Sequence, residues 1–204
     1  MIIKICGITH PEDAALAASL GANWIGILLS KQSRRYVDLS LAREITLAAK
    51  ENGAIPVGVF VDESLDEILL NLEKTGIFKA QLHGSGSLTC LHLLPSFVEP
   101  IVCVGVKPNG ICQTLIGNLN PSHFVLYDHV TPGSGKSLPW NLFQPSTSNP
   151  WILAGGLNPQ NVQQAIAVLK PNGVDVSTGV SMSGYLRKDP VLLEQFINLV
   201  RKKP

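Results

Sequence analysis

Ile2-Ile3-Lys4-Ile5-Cys6-Gly7-Ile8 is an apolar run broken by a single lysine, and such a run needs partners as apolar as itself on both flanks. Seven more short runs rich in Ile and Val follow: Trp24–Leu29, Ile55–Val61, Phe78–Leu82, Val98–Val106, Phe124–Tyr127, Trp151–Ala154 and Gly173–Ser177. Between them, Pro11–Leu20, Ser40–Asn52, Ser64–Thr75, Pro159–Leu169 and Pro190–Val200 have the apolar spacing of helices, with stops at Gly21, Gly53 and Gly76. The segments after the fourth and fifth runs carry Gly86, Pro95, Gly110 and Gly117, which predicts short or irregular helices there. Alternation of this kind builds a parallel sheet, and eight units closing on themselves satisfy every strand edge where an open sheet would not. The reading is an α/β chain folded as one (β/α)8 barrel, a TIM barrel, over residues 1–204.

Composition narrows the partners. The 204 residues are 45% hydrophobic and 15% charged, with 16 basic and 15 acidic side chains and a net charge of +1. That balance describes a packed globular protein and provides no field to gather nucleic acid or an anionic membrane. Cys6, Cys90, Cys103 and Cys112 form no CxxC pair, and no zinc spacing is present, so reduced thiols in the cytoplasm are expected. No apolar run reaches membrane-spanning length, which leaves a small molecule as the partner.

Two glycine signatures fall at late strand ends: Ala154-Gly155-Gly156-Leu157 after the seventh and Asp175-Val176-Ser177-Thr178-Gly179-Val180 after the eighth. Either alone reads as turn chemistry. Together, at the two strands whose loops commonly bind phosphate in a barrel, they point to a phosphorylated ligand. Strand parity places Lys4 with Cys6 on one face, Asp175 with Ser177, and Gln81 with His83. If strands one and eight are neighbours, Lys4, Cys6 and Asp175 form one coupled inward-facing group. Asp128 follows the sixth run and precedes a glycine-rich loop, His129 to Lys136, suited to closing over a ligand. Arg34 and Arg35 follow the second run, where an arginine pair reads as a solvated patch or as a carboxylate or phosphate reader.

These residues resemble the phosphoribosylanthranilate isomerase family nearly end to end. The resemblance rests on Lys4-Ile5-Cys6-Gly7-Ile8-Thr9, Ser33-Arg34-Arg35-Tyr36-Val37, Val57-Gly58-Val59-Phe60-Val61 and Gln81-Leu82-His83-Gly84. It continues through Gly133-Ser134-Gly135-Lys136, Ala154-Gly155-Gly156-Leu157-Asn158-Pro159 with Asn161-Val162, and Gly173-Val174-Asp175-Val176-Ser177. It implies an Amadori rearrangement in tryptophan biosynthesis, with no metal and no organic cofactor, in a monomer or homodimer. By resemblance Cys6 is the general base and Asp128 the general acid, Arg35 meets the anthranilate carboxylate, and His83 and Asp175 line the pocket. Gly155, Gly156, Ser177 and Thr178 match the phosphate cradle. The chemistry asks Asp128 to hold a proton near neutral pH and Cys6 to be available as thiolate, with Lys4 supplying positive charge.

Three segments depart from the family pattern: Leu138-Pro139-Trp140, Ser181 at the end of Ser177-Thr178-Gly179-Val180-Ser181, and Leu29-Ser30-Lys31-Gln32. They bear on loop anchoring and leave every proposed catalyst in place. The related isomerase of histidine biosynthesis resembles a twofold repeat and has an aspartate where this chain has Cys6, and no such repeat is present. Pentose-phosphate epimerases would need metal ligands that the sequence does not provide. The alternative of another class is a non-catalytic phosphometabolite-binding barrel.

Overall fold

The computed structural model describes residues 1–113, 119–131 and 137–202. Eight parallel strands close into a barrel in sequence order: β1 Ile2–Ile5, β2 Trp24–Leu28, β3 Ile55–Phe60, β4 Lys79–Leu82, β5 Glu99–Val106, β6 Phe124–His129, β7 Trp151–Leu153 and β8 Gly173–Val176. The closing pair is β1 with β8, registered with Lys4 opposite Asp175. The helices described are α1 Pro11–Leu20, α2 Leu39–Glu51, α3 Leu65–Thr75, α4 Ser85–Leu88, α5 Val162–Leu169 and α6 Pro190–Arg201.

Local chemistry sets most boundaries. Asp38 and Ser64 accept the amides of Leu41 and Glu67, and Glu67 reaches back to the Ser64 amide, so α2 and α3 begin where their first orphan donors find side-chain oxygens. Asp189 does the same for α6, accepting from Val191 and Leu192. The α5 segment begins three residues later than its apolar spacing suggested, at Val162 rather than Pro159. The Asn158 side chain accepts the amides of Gln160 and Asn161 at 2.9 and 3.1 Å and holds that stretch in a turn. After β4 only the four-residue α4 and a 3-10 turn at Leu91–Leu93 form, as the glycines and prolines there predicted. Among the described residues no helix follows β5 or β6.

The sheet separates two cores. Outside it, Ile3, Ile5, Ile25 and Ile27 pack against the helices through Ala14, Ala17, Ala42, Ile45 and Phe196. Inside it, Trp24, Val57, Ile101, Cys103, Leu126 and Ile152 fill the lumen. The Trp24 and Phe124 rings meet edge-on with centroids 5.1 Å apart, although β2 and β6 are not neighbours. They can touch only across the barrel, so the lumen is packed at its amino-terminal end. Among the described residues no helix is long and apolar enough to cross a membrane.

Candidate active site

β1 pairs with β8 through Ile5, and Cys6 adds one more ladder bond, its amide donating to the Val176 carbonyl at 2.8 Å. The apolar run expected to continue to Ile8 stops there because Gly7 turns to φ +67°. A side chain at Gly7 would also collide with Arg35 Cδ at 2.5 Å and Ser177 Oγ at 2.8 Å. The turn leaves Cys6 at the rim with its thiol directed inward. Opposite, β6 runs two residues further than Phe124–Tyr127, since Gly105 and Val106 of β5 pair with Asp128 and His129. Asp128 therefore lies within β6, not after it, and its inward parity turns the carboxyl toward the same mouth.

One cavity of about 440 Å³ at the carboxyl ends of the strands is lined by Cys6, Arg35, Gln81, His83, Asp128, Asp175, Ser177 and Thr178, among others. A second groove of about 600 Å³ lies on the flank between α3 and Pro95–Phe97; its lining is mostly apolar, with the carboxylates of Asp66 and Glu73. Titratable groups with strongly shifted pKa values converge on the first cavity, which makes it the candidate site.

Burial above all, with the charge of Asp175 behind it, pushes the Asp128 carboxyl up to about 7, against the pull of the His129 amide and Lys4. A carboxyl so placed holds a proton near neutral pH. Burial, aided by Lys4, takes His83 down to about 4, leaving a neutral imidazole. The Gln81 amide donates to His83 Nδ1 at 2.9 Å, which puts the ring proton on Nε2, 3.9 Å from Asp128 Oδ2.

Lys4 is fully buried, and its ammonium donates to Asp175 Oδ1 at 3.0 Å. Burial works against that charge, but Asp175 and Cys6 outweigh it and raise the ammonium above its ordinary value. A Cβ at Gly26 would stand 2.7 Å from Cys6 Sγ and 3.1 Å from Lys4 Nζ, so both groups crowd the bare backbone of β2. Lys4, Cys6 and Asp175 thus come together as parity predicted. The thiol itself corrects an expectation: burial pushes it above its ordinary value, with Lys4 and Lys188 only partly opposing. The resting cysteine is a thiol, because an enclosed site disfavours the naked anion.

Arg35 lines the cavity but is already engaged. Its Nη1 donates to the carbonyls of Gly7 at 3.2 Å and Leu186 at 2.8 Å, and its Nη2 to Ser181 Oγ at 3.0 Å. Ser181 in turn donates to the Ser177 carbonyl at 3.1 Å, so this departure from the family pattern still ties the loop to the end of β8. Gly155 and Gly156 follow β7 with φ of +86° and +62°, and a Cβ at Gly155 would come within 3.1 Å of Asp128 Oδ1. The two glycines therefore form backbone beside the cavity mouth, with Ser177 and Thr178 in its wall. Residues 132–136 of the loop expected to cover the ligand, Gly133-Ser134-Gly135-Lys136 among them, lie outside the described residues. Among the described residues no three His, Cys, Asp or Glu side chains gather to hold a metal.

The model of the N-(5'phosphoribosyl)anthranilate (PRA) isomerase family matches residues 3–199. This chain belongs to that family. It is 46% identical over 198 residues to the N-(5'-phosphoribosyl)anthranilate isomerase of Chlamydia felis, covering 97% of this chain and 95% of the relative. A chloroplastic phosphoribosylanthranilate isomerase of Arabidopsis thaliana is 36% identical, covering 98% of this chain. Among solved structures, the phosphoribosylanthranilate isomerase of Thermus thermophilus superposes with a TM-score of 0.83 at 31% identity over 98% of both chains. A phosphoribosylanthranilate isomerase in complex with reduced 1-(o-carboxyphenylamino)-1-deoxyribulose 5-phosphate superposes with a TM-score of 0.78 at 28% identity over the whole of both chains.

Sequence reasoning missed Lys188, Asp13 and Gly26. Asp13 and Ala17 are four apart on α1, so a carboxylate on the helix's inward stripe was a usable signal. Lys188 gave none, since a lysine ahead of a helix cap normally reaches solvent.

Proposed function

We propose that this chain is an N-(5'-phosphoribosyl)anthranilate isomerase of tryptophan biosynthesis, acting by general acid and base catalysis. The observation that carries the mechanism is that Cys6 on the β1 side and Asp128 on the β6 side open into one cavity, with Asp128 raised to about 7. The phosphate would sit against the backbone of Gly155 and Gly156 and the rim at Ser177 and Thr178, and the anthranilate carboxylate would face Arg35.

Protonated Asp128 donates to the furanose ring oxygen, the C1–O bond breaks, and the anilino nitrogen supplies electrons to form the iminium. The Cys6 thiolate then takes the proton from C2, the freed pair makes the C1=C2 bond as the iminium pair returns to nitrogen, and the resulting enolamine gains a proton at C1 while its C2 hydroxyl loses one, giving the 2-ketone. Because the resting group is a thiol, the base form depends on the cations around it and on the arriving substrate. His83, neutral with its proton on Nε2, is placed to donate to a substrate oxygen. Asp175 keeps Lys4 charged beside the thiol. The protein is taken as a single barrel domain of the cytoplasm, monomeric or homodimeric.

Loss of anthranilate-type fluorescence on adding N-(5-phosphoribosyl)anthranilate tests the reading. Cys6→Ala and Asp128→Asn should each lower the rate by on the order of 10²–10⁴. An Asp128→Asn rate within about threefold of wild type would reject the acid. Binding without turnover in the wild type would favour the non-catalytic barrel.

A further inference from the structure

Lys188 lies between β8 and α6 and is 1% exposed. Its ammonium donates to the Cys6 carbonyl at 2.7 Å, the Ser177 carbonyl at 2.9 Å and, more weakly, Ser181 Oγ at 3.5 Å. All three acceptors are uncharged oxygens. Its own amide donates to Asp13 Oδ2 at 2.9 Å, and Arg187 grips the same carboxylate through Nε and Nη2 at 2.8 to 3.1 Å. The main chain at 187–188 is thus pinned to the first turn of α1, and the side chain is threaded from there to the back of the catalytic rim.

The fold does not require that charge. β1 and β8 are joined by their own ladder, which Cys6 extends to Val176, and α6 is capped by Asp189. Neither depends on the Lys188 ammonium, and a cation buried on neutral acceptors is costly to keep. The groups it connects are the two whose separation matters: the residue bearing the thiol and the residue that opens the loop after β8.

We propose that Lys188 is a positioning residue for the isomerisation: its ammonium ties the Cys6 carbonyl to the Ser177 carbonyl and holds a positive charge behind the thiol, so that Cys6 can serve as thiolate base. The inference rests on Cys6 being the base. The charges facing the thiol are then Lys4 from β1, Asp175 from β8, Arg35 from the loop after β2, and Lys188, with His83 and Asp128 across the cavity. Those facing Lys188 are Arg35, Asp175 and Asp13. Burial, then Arg35, pulls the Lys188 ammonium down to about 7, whereas Lys4 stays charged well beyond that. The contribution of Lys188 is therefore present below about pH 7 and lost above it.

The test is the pH dependence of iodoacetamide alkylation, followed on the Cys6 peptide, in wild type, Lys188→Gln and Lys188→Met. Gln keeps amide donors for the carbonyls without the charge, and Met removes both. At pH 6 the wild type should react at least about threefold faster than either variant, and the profiles should converge near pH 9, where Lys188 is uncharged. At pH 7, kcat should fall about tenfold with KM within about threefold, since Lys188 does not touch substrate. If Met does not fold, Gln decides; if neither folds, the residue is structural and the proposal is overturned. Coincident alkylation profiles also overturn it, even with reduced stability. Turnover surviving in Cys6→Ala would instead remove the base assignment itself.

Discussion

The Lys4 ammonium and the Asp175 carboxylate meet at 3.0 Å inside the barrel, each from the strand that closes it against the other. Lys4→Met would leave that carboxylate buried and unpaired, which costs about 3–5 kcal/mol. Urea denaturation should show the loss, and Lys4→Met with Asp175→Asn should recover part of it. The thiol limb of the pH–rate profile should move to higher pH in Lys4→Met. A profile that does not move would detach Lys4 from Cys6, whatever the stability.

Asp128 ties stability to pH in the opposite sense from a paired carboxylate. Its ordinary value of 3.8 rises to about 7 in the folded chain. Between these the native state binds the extra proton, so its contribution to stability falls as pH rises from about 4 to about 7. Above pH 7 the folded protein carries a strained anion, a penalty on the order of 4 kcal/mol at 1.36 kcal/mol per pH unit. Asp128→Asn should therefore gain stability relative to wild type as pH climbs from 4 to 8. Taking the difference between the two cancels His83, which titrates in both. Parallel stability curves would show that Asp128 is not held protonated.

The barrel was legible because its signals are local and repeated: alternating runs, Ser or Pro near helix starts as at Ser64 and Pro190, and glycine stops. Parity alone brought Lys4, Cys6 and Asp175 together, since β1 and β8 must meet if the ring closes. What was not legible depends on contacts distant in sequence. The state of the Cys6 thiol could not be read from the presence of Lys4, because the burial that opposes the thiolate belongs to the whole cavity. Lys188 reaches its carbonyls from a main chain held at its amide by Asp13, 175 positions away. The end of β6 was set by how far β5 continued, so Asp128 fell inside a strand that composition ended at Tyr127.

Gly26 has no loop or turn to explain it, lying mid-strand in β2. Its role is the space it leaves for Cys6 Sγ and Lys4 Nζ. Gly26→Ala should push the thiol aside, and a shift near 1 Å in a reacting group costs on the order of 10² in kcat. The fold, judged by circular dichroism, should survive, with stability lower by about 1–3 kcal/mol. Full turnover in Gly26→Ala would mean that Cys6 acts from another rotamer or not at all.

Gly179 joins the two loops proposed to hold phosphate. A Cβ there would stand 1.9 Å from the Leu157 carbonyl oxygen and 2.9 Å from its carbon, so the obstacle is backbone and cannot swing away as a side chain would. Gly179→Ala, two residues beyond Ser177, must part the loop after β8 from the loop after β7 at Leu157, while the Cys6 bond to Val176 and the Lys188 bridge hold Ser177 beside Cys6. Phosphate contacts are made in ground and transition states alike, so their loss should appear in KM and leave kcat nearly intact. The expected result is a KM raised about tenfold, kcat within about threefold, and weaker inhibition by inorganic phosphate in the same proportion. If KM and phosphate inhibition stay at wild-type values while the variant folds, the phosphate is held elsewhere, and Gly155, Gly156, Ser177 and Thr178 lose the role proposed for them.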